Sequence, residues 1–106
     1  LFEQKTLSAL GLIDQITTRY RSTYFSHIFA GGYSMGYYSY LWTEVLEADA
    51  FVPFSEKGIF DKKTANKLKK YIYSAGNSDD LMTQYIRYRG SEPKIEALLK
   101  KRGFDE

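Results

Sequence analysis

The chain contains no cysteine, one histidine (His27), one tryptophan (Trp42) and two prolines among its 106 residues. Without cysteine there is no disulfide, no thiolate nucleophile and no thiolate metal ligand. A catalytic zinc site generally takes three protein ligands, commonly two histidines and a carboxylate. One histidine and no cysteine do not furnish that set, so no metal-binding residue is expected within the chain. Net charge is small as well. Fifteen basic and thirteen acidic residues leave +2, too little to point to nucleic acid or an acidic membrane surface. No apolar run approaches the roughly 20 residues that span a bilayer. The lysines at 62, 63, 67, 69 and 70 crowd one short segment, the pattern of a solvated helix face. What the chain has in excess is tyrosine, ten residues of it, beside seven phenylalanines and eight glycines.

Length points to about one domain, and the order of breakers and caps reads as all-α. Phe2 to Leu10 is a short amphipathic helix closed by Gly11. Asp14 can cap a second helix through about Tyr24. Ser26 to Gly32 is loop. A long helix is then expected from about Ser34 toward Glu56, with Pro53 kinking it or splitting it in two near Val52. Gly58 ends that segment. Asp61 caps the next helix, Lys62 to about Ser74, and Gly76-Asn77 makes a turn. Ser78 is the expected cap of a helix with Asp79 and Asp80 in its first turn, where carboxylates suit the helix dipole. Gly90 stops it, and a last helix beginning near Pro93 stops at Gly103. No hairpin signal or period-2 run competes, and there is no internal repeat. Leu1 is not an initiator Met, and the first helical pattern has no cap before it. The chain is therefore expected to be processed or to be a piece of something larger.

The densest chemistry lies in Ser26–Trp42, which holds His27, Trp42, the pair Gly31-Gly32 and a run of tyrosines. Glycine permits positive φ and close approach of a ligand to the backbone. Tyrosine offers a flat apolar body with a hydrogen-bonding tip. At 100° per residue, Tyr33, Tyr37, Tyr40 and Glu44 fall within about 60° of one another on a helical wheel. Tyr38, Trp42, Val45 and Leu46 gather on the opposite side as a packing stripe. Gly36 leaves bare backbone beside the tyrosine row. Spacing alone fits two readings, half-buried packing aromatics or a gripping surface. A lone histidine between apolar residues is commonly structural, but His27 stands in a loop, where functional groups concentrate. Gly31-Gly32 is no phosphate loop, since no Gly-Lys-Ser/Thr follows it.

The string His27-Ile-Phe-Ala-Gly-Gly-Tyr-Ser-Met-Gly-Tyr-Tyr-Ser-Tyr-Leu-Trp-Thr-Glu-Val45 resembles the C-terminal part of the thimet-oligopeptidase family of zinc metallopeptidases. The likeness is greatest to its bacterial peptidyl-dipeptidase and oligopeptidase A branch. It extends upstream through Arg19–Phe25 and downstream through Gly58-Ile59-Phe60, Gly76-Asn77-Ser78, Arg89–Pro93 and Lys101–Phe104. Met35 stands where small residues are usual, and Pro53 departs from the family pattern.

The resemblance implies an all-α fold, with residues 1–106 forming a compact helical C-terminal part of a larger catalytic domain. It implies an enzyme that hydrolyses short peptides, with zinc in the full-length parent, bound by a His-Glu-x-x-His motif that this chain lacks. In such enzymes zinc polarises the scissile carbonyl and activates a water, and the developing oxyanion needs donors. By resemblance, Tyr33, Tyr40 and His27 contact the substrate or stabilise the tetrahedral intermediate. Tyr37 belongs to the same row, and Gly31 and Gly32 let the loop bend over the bound peptide. The partners implied are short peptides and the N-terminal part of the same protein, with no nucleic acid and no membrane; the location implied is cytoplasmic. The isolated piece is expected to be inactive. A free-standing module using the tyrosines to bind carbohydrate or peptide is the alternative. A nucleic-acid binder using the lysine segment would show steep salt dependence. The extent of the resemblance sets both rivals aside.

Overall fold

Side-chain caps set the starts of two helices of this chain, at Asp61 and Asp80. The computed structural model describes residues 2–104; Leu1, Asp105 and Glu106, at the ends of the expected span, lie outside the described residues. All the described regular elements are helical, the class that the sequence implied. The chain separates into two units, Leu1–Tyr38 and Ser39–Glu106. Among the described residues no helix is long and apolar enough to cross a membrane.

The first unit opens with α1 (Phe2–Ala9). Gly11 follows it at φ +86°, its N–H donating to the carbonyl of Ser8 at 3.0 Å. The Glu3 carboxylate accepts bonds from the backbone N–H of Ser22 and, at 2.8 Å, from its hydroxyl. These bonds hold the Glu3 carboxyl below its ordinary range. The helix expected from Asp14 to Tyr24 does not form: residues 14–15 and 22–24 make isolated turns. Ile13, Ile16, Thr17 and Thr18 are β-branched and lose rotamer freedom in a helix. None of the described residues of this unit is fully buried, so no packing offsets that loss.

The long helix also starts later than its periodicity suggests. Residues 34–38 are turns, and α2 spans Ser39–Lys57. Met35 stands at φ +54°, a left-handed conformation that no α-helix accommodates, and Gly36 next to it favours the irregular path. Tyr33 and Tyr37 therefore do not share a helix face with Tyr40. The opposite stripe is also reduced: Val45 is buried, whereas Trp42 is 45% and Tyr38 73% exposed.

In the second unit, α2 runs unbroken through Pro53, so of the expected kink or split the split does not occur. Proline offers no N–H to the carbonyl of Asp49 and crowds it. The side chains of α4 (Leu81–Arg89) repair the gap. Arg89 Nε donates to the Asp49 carbonyl at 3.2 Å and to the Asp49 carboxylate at 3.1 Å. The Tyr85 hydroxyl donates to the same carboxylate at 2.7 Å, and the Tyr88 hydroxyl to the Ala50 carbonyl at 2.6 Å. Asp49 is 1% exposed, so its charge is compensated on the spot.

The next two helices follow their caps closely. Asp61 caps α3 (Lys62–Leu68) by accepting the Thr64 N–H at 2.8 Å. The path then widens into a π turn over Lys69–Tyr73, closed by Ser74 N–H to Lys69 carbonyl. Asp80, not Ser78, caps α4, accepting the Thr83 N–H at 2.8 Å. Asp79 lies before the helix and takes the Asp80 N–H and Arg87 instead. Gly90 ends α4 at φ +90°. The last helix, α5 (Glu96–Lys101), starts beyond Pro93 and packs on α2 through Leu98 against Val45 and Ala48. Ion pairs from Lys101 to Glu47, at 2.7 Å, and from Arg102 to Glu44 flank that core.

Candidate functional site

The stretch from Phe25 to Tyr37 is folded by its own short-range bonds. Ser26–Ile28 makes a 3-10 turn, and the Ser26 carbonyl accepts the N–H groups of Phe29 at 2.9 Å and Ala30 at 2.8 Å. A second turn, Gly31–Tyr33, follows. Gly31 stands at φ +71°, which favours glycine there. The Ser34 hydroxyl, contacting the carbonyls of Phe29 at 3.0 Å and Gly31 at 3.2 Å, staples the two turns. The Met35 N–H reaches back to the Ile28 carbonyl at 3.4 Å and Gly36 N–H to Tyr33 at 2.8 Å.

This folding brings His27, Tyr33 and Tyr37 together without a helix. The ring centroids of His27 and Tyr33 are 5.8 Å apart, those of His27 and Tyr37 5.9 Å, and those of Tyr33 and Tyr37 6.3 Å. The Tyr37 ring meets its neighbours edge-on, an arrangement that aromatic quadrupoles favour. His27 is exposed, Tyr37 half-buried, and Tyr33 39% exposed. A Cβ added at Gly31 or Gly32 would meet nothing within 4 Å, so backbone at both positions is open to an approaching chain. Tyr40 belongs to the second unit, in the first turn of α2, and is 46% exposed.

Neutral phenols and an imidazole can donate to a peptide carbonyl, and a phenol does so without bringing a charge into a cleft. Burial first, then the bond to Asp49, pushes the Tyr85 hydroxyl far above its ordinary range, and burial raises Tyr88. Both therefore remain protonated donors holding α2. Among the described residues no three His, Cys, Asp or Glu side chains gather as a metal-binding group, and the sequence has one histidine.

Sequence reasoning missed Phe25, whose ring lies against those of His27 and Tyr37, and Ser34, whose hydroxyl two residues after Gly-Gly is a turn-forming signal. It also missed the pair Asp49–Arg89. An acid set among Val45, Ala48 and Val52 is itself a signal, because a buried carboxylate demands a partner.

The profile of peptidase family M3 matches residues 3–104. The dipeptidyl carboxypeptidase of Salmonella typhimurium is 45% identical over 105 residues, 98% of this chain and 15% of its own length. Oligopeptidase A of Escherichia coli is 52% identical over 79 residues, 74% of this chain and 12% of its own length. A thimet-like oligopeptidase of Dictyostelium discoideum is 33% identical over 79 residues. The chain thus spans only a small part of the relatives it matches, and by a match over nearly its whole described length it belongs to peptidase family M3.

Proposed function

We propose that this chain is the substrate-binding and transition-state-stabilising part of a zinc-dependent oligopeptidase or peptidyl-dipeptidase acting on short peptides. The observation that carries the reading is the convergence of His27, Tyr33 and Tyr37 in one exposed loop beside the uncovered backbone of Gly31-Gly32. In this reading Tyr33, Tyr40 and His27 donate to the peptide carbonyl as charge develops on its oxygen. Tyr37 and the backbone at Gly31 and Gly32 line the bound peptide. Zinc and its ligands in this reading belong to the part of the protein outside this chain. The N-terminal part of the protein is then the principal partner, a cytoplasmic location goes with the reading, and the chain alone hydrolyses nothing.

The test is kinetic, on the full-length peptidase with a quenched peptide substrate. Tyr40→Phe is expected to lower kcat/KM by roughly 10²–10³-fold, the range for loss of one oxyanion donor. Tyr38→Phe, outside the proposed set, is expected to change it little. Equal losses in the two variants would remove Tyr40 from the machinery.

A further inference from the structure

Tyr33 and Tyr37 do not ride on a helix, so something else must fix their directions. Tyr37 lies in the turns before α2, with Met35 at φ +54° between it and Tyr33. His27 lies in a 3-10 turn. Backbone bonds in such turns hold the chain path but do not by themselves set χ1 and χ2 of each ring. The ring contacts around Phe25 add such a constraint. Its centroid is 4.8 Å from that of Tyr37, at an interplanar angle of 79°, and 6.3 Å from that of His27. On a further side it meets the Tyr20 ring at 5.2 Å, and Tyr20 in turn meets Tyr24 at 6.3 Å. Phe25 is half-buried while Tyr20, Tyr24 and His27 around it are exposed. It carries no polar atom beyond its backbone, so packing is its only means of acting.

We propose that Phe25 is a positioning residue of the peptidase site, the wedge that sets the ring directions of His27 and Tyr37 from behind. The proposal rests on the reading of those two residues as peptide contacts. An edge-on contact at this distance fixes an aromatic partner in a way that an aliphatic side chain does not. Leucine at 25 keeps an apolar filler but loses the ring that meets Tyr37 in a T-shaped contact. The misaligned groups matter most where charge develops, because transition-state interactions depend on alignment more steeply than ground-state binding does. The effect therefore falls on kcat more than on KM.

The experiment uses the full-length peptidase and a quenched peptide substrate, with Phe25→Leu, Phe25→Tyr, Tyr33→Phe and Tyr40→Phe measured side by side. Phe25→Leu is expected to lower kcat on the order of 10-fold, with KM changed less than about 2-fold and the melting temperature unchanged. Phe25→Tyr, which restores a ring, is expected to return kcat to near the parent value. Wild-type kcat in Phe25→Leu overturns the proposal. So does a loss of kcat that Phe25→Tyr does not rescue, since volume or folding would then be the cause. Full activity in both Tyr33→Phe and Tyr40→Phe would bring down the functional reading itself and this proposal with it. Losses in those two beside an unaffected Phe25→Leu would bring down the proposal alone.

Discussion

The two units of this chain hold themselves together in opposite ways. In Leu1–Tyr38 no described residue is fully buried, and order comes from turns, the Ser34 hydroxyl and rings laid against rings. In Ser39–Glu106 a long helix is pinned from within by a buried carboxylate, a guanidinium and two phenols. Bonds of the first kind are local and exposed to water, and they open at low free energy. Those of the second kind are shielded and act together. His27, Tyr33 and Tyr37 sit on the first kind of structure and Tyr40 on the second. In the proposed function, the loop that admits and releases a peptide rests on the former and the donor Tyr40 on the latter.

The most forceful way to break that comparison is to remove the pin. Arg89→Met leaves the buried Asp49 charge without its cation and the Asp49 carbonyl without a donor. Loss of one partner of a buried pair costs about 3–5 kcal/mol. Amide exchange along α2 of the full-length peptidase is therefore expected to accelerate by at least two orders of magnitude, while that of residues 26–36 stays as it was. The same substitution in a Pro53→Ala background should cost about 1 kcal/mol less, because alanine restores the N–H that Arg89 replaces. Strict additivity of the two changes would show that Arg89 does not splint the helix.

A weaker lever is acid. Asp61 and Asp80 cap α3 and α4; the hydroxyl and then the N–H of Thr64 hold the Asp61 carboxyl below the ordinary aspartate range, and the N–H and then the hydroxyl of Thr83 do the same for Asp80. A depressed folded pKa means stability that is present above the unfolded value and is lost as pH falls through the folded one. The helices of the second unit should therefore loosen below about pH 4, near the ordinary aspartate value. Asp80→Asn keeps a capping oxygen without a titrating charge. It should flatten that part of the acid response of α4 while leaving the helix intact at neutral pH, followed by exchange at the amides of residues 83–86. An unaltered acid response in that variant would exclude Asp80 as its source.

What could be read from the sequence was whatever depends on a few neighbouring residues. Asp61, Gly58, Gly90 and Gly103 act where they stand, and each marks the helix end that the structure has. The class and family were legible for the same reason, since the motif around Gly31-Gly32 is contiguous. Periodicity failed where a single backbone angle overrides it. The spacing of Tyr33, Tyr37 and Tyr40 fits a helix well, and Met35 at positive φ ends that path before it starts. Three of the proposed residues still meet, because a turn can bring rings together as a helix face does. At Pro53 the helix continues where it could have split. Its repair comes from Arg89, far along the chain, and no local pattern announces such a partner.

The smallest expected effect concerns that same Met35. Its side chain is 92% exposed, so replacing it removes little packing within this chain. Its φ of +54° is a conformation that costs a non-glycine residue about 1–2 kcal/mol. Glycine adopts it freely but loses more backbone entropy on folding, a countervailing cost of roughly 0.5–1 kcal/mol. The two terms nearly cancel, with a net gain of about 0.5 kcal/mol for Met35→Gly. In the full-length peptidase this should slow exchange at the amides of Met35 and Gly36 by about 2-fold and leave kcat and KM unchanged. The variant also sharpens the contrast between the units, because it strengthens the loosely held stretch without touching a ring or a donor. A several-fold loss of activity would mean that the methionine side chain, bare in this chain, is a contact in the complete enzyme. The turn from Tyr33 to Tyr37 would then be held from outside as well as by its own bonds.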